Sequence, residues 1–232
     1  MASDDVEDMW RHRYVFTTAT TPIELHIRED LDAGLGGTLF DGSVALARLL
    51  ESMAKDQPAF LQGKRVLELG SGCGLPGLLA GKLGAAQVVL TDIAQCVELM
   101  QENIDGNDLG DCVSAAALNW TLSNDADSVE KEFGSNFDFI LAADVVYSPE
   151  LVHPLYALLI RFSGPRTQIL FSAPRPRVQE ATDAFFATLR NEADFEVEKI
   201  SASRFVPDLK PGSKQFTREH EGLFAFRLKQ RL

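Results

Sequence analysis

Residues 66–74 read Val66-Leu67-Glu68-Leu69-Gly70-Ser71-Gly72-Cys73-Gly74. An apolar run carrying one acid gives way to glycine at every second position. The run predicts a short buried strand that delivers the backbone into a turn bare of side chains at its closest points. A ligand can then lie against peptide N–H groups where the next helix begins, as in nucleotide-binding α/β sheets.

Working outward, strand and helix alternate. The pattern predicts strands at Val66–Leu69, Gln87–Thr91, Val113–Leu118, Phe137–Ala142 and Gln168–Ser172. Helices are expected at Asp41–Met53, Pro76–Leu83, Ala94–Asn107, Leu151–Phe162 and Gln179–Glu192. A polar acidic loop is expected around Asn124–Asp127, and Ser163-Gly164-Pro165 is expected to end a helix. Repeated βα units imply a parallel sheet covered by helices on both faces. Phe195–Ile200 and Leu223–Leu228 lack a convincing helix between them and predict an antiparallel C-terminal edge pair around a long loop with Pro207 and Pro211-Gly212. Tyr14–Thr17 and Ile23–Ile27, flanking Thr20-Thr21-Pro22, predict a short N-terminal hairpin. The expected fold is α/β: a doubly wound, Rossmann-like, seven-stranded mixed sheet. The first 12 residues read as a disordered acidic lead and 13–232 as a single domain.

Composition narrows the function. The chain of 232 residues carries a net charge of −12, and no Lys/Arg cluster offers the basic patch that phosphate contacts need. Neither a nucleic-acid partner nor a membrane is expected; the acidic surface suits basic partners such as lysine-rich peptides. Three cysteines, Cys73, Cys96 and Cys112, show no paired metal-ligand spacing. They predict a reducing compartment, no disulfide framework and no metal site. No apolar stretch is long enough to span a bilayer, and the acidic start is unlike a secretory signal. A cytoplasmic protein is expected, with the nucleus as a second location.

The glycine loop fits two ligands. Gly72-x-Gly74-x-x-Gly77 matches a dinucleotide fingerprint, whereas Glu68-x-Gly70-x-Gly72-x-Gly74 matches an S-adenosylmethionine loop. Four neighbouring features discriminate. Glu68 could help orient the ammonium of the amino-acid end of S-adenosylmethionine, and would repel a pyrophosphate; its alternative is a strand-end acid satisfied by local amides. Asp92 ends the next strand, where a carboxylate accepts ribose hydroxyls or caps the following helix. Asn119-Trp120 follows the third strand and can read and cover an adenine, or Trp120 can pack in the core. Ala143-Asp144-Val145-Val146-Tyr147 sets an acid and a phenol at the same carboxyl edge. Together they favour a methyl donor over NAD.

With these residues the chain resembles the seven-stranded class I methyltransferases and, more narrowly, methyltransferase family 16, the protein-lysine methyltransferases that include the methyltransferase-like 21 group. The likeness runs from about Gly37 to Leu159, sharpest in Gly70-Ser-Gly-Cys-Gly-Leu-Pro-Gly77 and in Asp144-Val-Val-Tyr147. It implies an S-adenosyl-L-methionine bed of Phe40, Glu68, Gly70, Gly72, Cys73, Gly74, Asp92, Asn119, Trp120 and Ala143. It also implies that Asp144 and Tyr147 capture and orient an amine. Phe40 stands where members usually have tryptophan, and Asn119-Trp120 where many have Asp-Trp. The implied function is protein-lysine N-methylation by a monomer, on a partner such as a chaperone, ATPase or elongation factor. Methylation of arginine, another protein nitrogen or a small molecule, and a non-catalytic cofactor-binding scaffold, are the alternatives.

Other chemistry-bearing residues form no constellation. His12, His26, His153 and His220 form no sequence pattern with a nucleophilic serine or cysteine, and Phe133, Phe137, Phe139, Phe185 and Phe186 read as core. His220 with Glu221, and Arg175 with Arg177, could border a substrate entrance.

Overall fold

A computed structural model describes residues 11–19, 21–173, 178–192, 194–200 and 222–228. The expectations for the lead up to residue 10, for Arg175 and Arg177, for the loop with Pro207 and Pro211-Gly212, and for His220 and Glu221 lie outside the described residues.

The N-terminal hairpin pairs β1 (Arg11–Thr17) with β2 (Pro22–Arg28), antiparallel. Arg11 and His12, read in the sequence as part of the acidic lead, thus belong to a strand. The main unit runs α1 (Asp41–Asp56), β3 (Arg65–Leu69), α2 (Leu75–Lys82), β4 (Gln87–Asp92), α3 (Val97–Asp105), β5 (Val113–Ala117), α4 (Ser123–Phe133) and β6 (Phe137–Ala143). It continues through α5 (Val152–Phe162), β7 (Ser163–Ser172), α6 (Gln179–Glu192), β8 (Phe195–Ile200) and β9 (Leu223–Leu228). The seven strands lie in the order β5-β4-β3-β6-β7-β9-β8. Strands β3 to β7 are parallel, and β9 is antiparallel to both β7 and β8. The order reverses at β3, whose neighbours are β4 and β6, so the crevice beyond the carboxyl ends of β3 and β6 is the switch point where such sheets bind ligands.

Strand alternation feeds two cores. Val66, Val88, Leu90, Phe139 and Leu141 face one side and pack with α1, α2, α3 and the hairpin. Leu67, Leu69, Val89, Ile140 and Phe171 face the other and pack with α4, α5 and α6. A sheet covered on both sides has strands that are nearly continuously apolar, as β3 and β4 are.

Two local expectations are corrected. Asn124–Asp127 is no loop but the opening of α4, whose Ala126, Val129 and Phe133 repeat at helical spacing against the core. Asp125 falls in the first turn, where the helix dipole favours it. Ser163-Gly164-Pro165 ends α5 but already belongs to β7: Ser163 pairs with Phe137, and the register then shifts. The Thr167 hydroxyl bridges this bulge, accepting from the Gly164 amide at 2.7 Å and donating to the Phe137 carbonyl at 2.5 Å. Pro165, which has no N–H, is tolerated there because the ladder is already interrupted.

Two buried asparagines one turn apart on and just beyond α3 dock the hairpin. Asn103 Oδ1 accepts from the Arg28 amide at 2.7 Å, and its Nδ2 donates to the carbonyls of Arg28 and Cys73, both at 3.0 Å. Asn107 likewise accepts from the His26 amide and donates to the His26 carbonyl. They act as a surrogate strand edge for β2. Replacing Asn103 with leucine would leave three backbone groups short of a partner; we expect Asn103→Leu to cost about 2–4 kcal/mol. Urea unfolding would read this as a lower midpoint at unchanged slope.

Candidate active site

The loop after β3 is held by the end of β4. The Ser71 amide donates to the Thr91 carbonyl at 2.9 Å. The Ser71 hydroxyl accepts from the Thr91 amide at 2.9 Å and donates to the Glu68 carbonyl at 3.2 Å. Asp92 then completes the seam: one carboxylate oxygen accepts from the Gly72 amide at 2.8 Å and the other from the Ile93 amide at 2.7 Å. Burial raises the Asp92 pKa above its ordinary value, partly offset by those two amides.

The loop needs its glycines for space as well as for backbone angle. Gly70 has φ 64°, and a side chain on it would meet Val145 at 2.7 Å and the Trp120 indole at 3.3 Å. A bare cradle is thus walled by the two residues that follow β5 and β6. Gly77, which completes the apparent dinucleotide fingerprint, serves helix packing: a Cβ there would lie 2.2 Å from Leu90.

A cavity of about 750 Å³ opens over this cradle. Of the residues proposed from sequence, Phe40, Gly70, Gly72, Cys73, Asp92, Asn119, Trp120, Ala143, Asp144 and Tyr147 line it. Glu68 and Gly74 do not. Gly74 caps α2 with φ 81° and packs against Leu90. Glu68 is buried beneath α2, where its carboxyl accepts from the Gly77 amide at 3.0 Å. The structure places it behind the loop, against helix amides, rather than facing the cavity. Burial there pushes its pKa up to about 8.

Asp144 has a left-handed backbone, φ 57°. Its Oδ2 accepts from the Gly42 amide at 2.7 Å. Gly42 is in the first turn of α1, whose N-cap residue, Phe40, supplies no side-chain cap. A carboxylate 102 positions away therefore caps that helix and complements its dipole. Any side chain on Gly42 would strike the carboxylate at 2.3 Å. Asp144 thus seats Phe40 at the cavity wall while lining the cavity itself. Tyr147 is half exposed at the mouth, with its pKa raised by burial and then by Asp92 and Cys96, so the phenol stays a neutral donor at neutral pH.

Sequence reasoning missed Asp32, Asp41 and Ile93, which also line the cavity. Asp41 was within reach, since it adjoins Phe40; Asp32 is brought in only by the 3-10 turn Leu31–Gly37. Among the described lining residues there are four aspartates and no Lys, Arg or His. His12 bonds Glu29 and His26 bonds Glu24, while His153 is exposed, so these three serve elsewhere.

Comparison with known proteins gives a consistent result. The profile described as lysine methyltransferase matches residues 19–192. EEF1A lysine methyltransferase 3 of Xenopus tropicalis is 32% identical over 170 residues, covering 70% of this chain and 69% of that protein. Protein N-lysine methyltransferase METTL21A of Xenopus tropicalis is 35% identical over 163 residues, covering 68% and 70%. The fold is shared with the O-methyltransferase from Bacillus cereus crystallised with SAH, at TM-score 0.54, 17% identity and 85% coverage of each chain.

The buried Glu68 makes a signed prediction. Its folded pKa of about 8 exceeds the ordinary 4.5, so between those values the unfolded chain is ionised while the native one keeps its proton. The contribution of Glu68 to stability falls as pH rises from 4.5 to 8, then levels off. Glu68→Gln, which can still accept from the Gly77 amide, removes that dependence. Its urea midpoint should exceed that of the wild type at pH 8, and the two should converge at pH 5.

Proposed function

This chain belongs to the lysine methyltransferase family and is an S-adenosylmethionine-dependent protein-lysine N-methyltransferase, and we propose that Asp144 and Tyr147 receive a surface lysine of a folded protein partner. The observation that supports this reading best is the charge of the cavity: Asp32, Asp41, Asp92 and Asp144, with no cationic residue among the described lining. A dinucleotide would bring its pyrophosphate into that field with no cationic side chain among the described lining to neutralise it. A sulfonium cofactor and a lysine ammonium both bring positive charge.

The residues present fit the cofactor. The Gly70 cradle is the space a side chain would fill, Asp92 has the acceptor chemistry for a ribose diol, and Trp120 and Phe40 offer aromatic walls. When bound, S-adenosylmethionine supplies the electrophilic methyl group; the protein's share is position, exclusion of water and electrostatics. The Asp144 carboxylate, fixed by Gly42, holds the arriving ammonium, and the neutral Tyr147 phenol fixes its angle. A lysine ammonium has an ordinary pKa of about 10.4 and must shed a proton to react; burial in the cavity lowers that value. With no histidine among the described lining residues, the proton goes to water.

EEF1A is the first substrate to try, because one relative is named for it. We also place the enzyme in the cytoplasm, with the nucleus as a second location, acting as a monomer without nucleic acid or membrane. The acidic charge and the three free cysteines support this placement. No helix among the described residues is long and apolar enough to cross a membrane.

Calorimetry should show S-adenosylmethionine binding and no NAD binding, and Asp92→Ala should weaken the former by roughly tenfold or more, about 1.4 kcal/mol. NAD binding in place of S-adenosylmethionine would overturn the cofactor assignment. Asp144→Asn keeps an acceptor for the Gly42 amide but loses the charge. It should unfold like the wild type while turnover on protein falls about 100-fold; unchanged turnover would remove Asp144 from acceptor binding. Mass spectrometry of EEF1A incubated with enzyme and methyl-labelled cofactor tests the substrate.

A further inference from the structure

We propose that the 3-10 turn Leu31–Gly37 is a docking lip for the protein substrate, which takes an apolar side chain with a basic neighbour close to the acceptor lysine. This rests on the protein-lysine methyltransferase reading and names what the substrate must present beyond the lysine itself.

Leu31 and Leu35 are 62% and 67% exposed, the most exposed large apolar side chains among the described residues. They lie four positions apart, across a kink at Gly34, on a segment that forms one wall of the cavity. Ile93 and Tyr147, 39% and 51% exposed, line the same cavity. Leu35, Ile93 and Tyr147 thus share one cavity, and Leu31 is carried on the same turn. Gly36 sits so close to Cys96 and Asp92 that a Cβ on it would lie 2.4 Å from the Cys96 sulfur and 3.6 Å from an Asp92 oxygen. The same two groups act electrostatically on the Tyr147 phenol. Leu35 and Tyr147 both line the cavity beside this contact.

The leucines are not exposed because the segment is loose. The Asp30 amide donates to the Gly37 carbonyl at 2.9 Å, closing the base, and the Asp30 carboxylate accepts from the Asp32 amide at 3.0 Å. The Cys73 and Cys96 thiols, both buried, reach the carbonyls of Gly36 and Ala33 at 3.8 Å. Ala33 and Gly37 are themselves buried. A turn pinned on its inner side and showing two leucines outward has the form of an interaction surface with a polar rim.

The charge identifies the occupant. Asp32 stands between the two leucines in the chain and lines the cavity, and the exposed Glu150 acts electrostatically on Tyr147. An apolar surface set among carboxylates complements an apolar-and-basic segment. A second copy of this chain, at net charge −12, is a poor match.

The test compares the wild type with a Leu31→Ser/Leu35→Ser double variant and with Glu150→Lys, a rim carboxylate outside the cavity lining. The probe is protein extract from cells lacking the gene, supplied with methyl-labelled S-adenosylmethionine. Each variant should label protein at least tenfold more slowly while its calorimetric Kd for S-adenosylmethionine stays within twofold of wild type. In the wild-type reaction, mass spectrometry should find an apolar and a basic residue beside the methylated lysine on the folded surface. Undiminished labelling, or an acidic surround at the methylated lysine, would overturn the lip. So would a parallel loss of cofactor affinity, which would make the segment part of the cofactor bed. A wild-type dimer by light scattering that the double variant dissolves would assign the leucines to self-association. If the wild type labels no protein while binding S-adenosylmethionine, the protein-methyltransferase reading fails and the lip falls with it.

Discussion

The seam between the glycine loop and the end of β4 is the constraint from which the site follows. A parallel pair such as β3–β4 ends where its ladder ends, and a glycine loop beyond it would collapse or wander. Here Ser71 carries the ladder one step further with both its amide and its hydroxyl, and Asp92 carries it another step by accepting from Gly72. The same carboxylate that fixes the loop faces the cavity. One residue thus fixes the loop and presents its carboxylate to the cavity, so a change at Asp92 disturbs both.

Gathering four aspartates around one cavity is costly, because like charges in a partly desolvated space raise one another's energy. The fold offsets part of that cost with backbone dipoles. Asp92 faces the amides of Gly72 and Ile93, and Asp144 faces the first turn of α1. Tyr147, with its raised pKa, adds a neutral donor and no further charge. The remaining imbalance is what a cationic occupant relieves. A site assembled this way favours sulfonium and ammonium groups before any shape complementarity is counted. A product that has lost positive charge relieves less of that repulsion and is therefore held less tightly.

The sheet was legible because buried parallel strands are nearly continuous apolar runs, and every strand of the sheet was placed within a few residues except the early start of β7. The misses have local physical causes. The first turn of α4 is rich in Ser, Asn and Asp, which read as loop until Ala126, Val129 and Phe133 are seen to recur at helical spacing. Gly164-Pro165 reads as a turn because the sequence does not show that Thr167 will bridge a bulge. Within the site, the glycine loop and the strand-end residues Asp92, Asn119 and Trp120 were accessible from the residues themselves, whereas Phe40, Cys73 and the role of Asp144 and Tyr147 came with the family resemblance. The place of Glu68 was not accessible: a strand alternates faces, and only the position of α2 reveals that its carboxyl meets the Gly77 amide. Asn103 and Asn107 were missed although they carry a readable signal, two asparagines four apart with buried leucine and isoleucine as helical neighbours.

Those two asparagines give the N-terminal hairpin, which is a separate two-stranded sheet, a part in the site. Asn103 donates from one amide nitrogen to β2 and to the Cys73 carbonyl, so hairpin and glycine loop share a single side chain. At the end of β2, Glu29 accepts from the Leu39 amide at 2.5 Å, while Asp144 accepts from the Gly42 amide. The short segment bearing Phe40 is therefore tied at both ends to carboxylates, one from the hairpin side and one from the end of β6. Neither tie depends on the side chain at position 40. An aromatic residue other than tryptophan can occupy it without loosening the wall, because the backbone, and not an indole N–H, holds that wall in place.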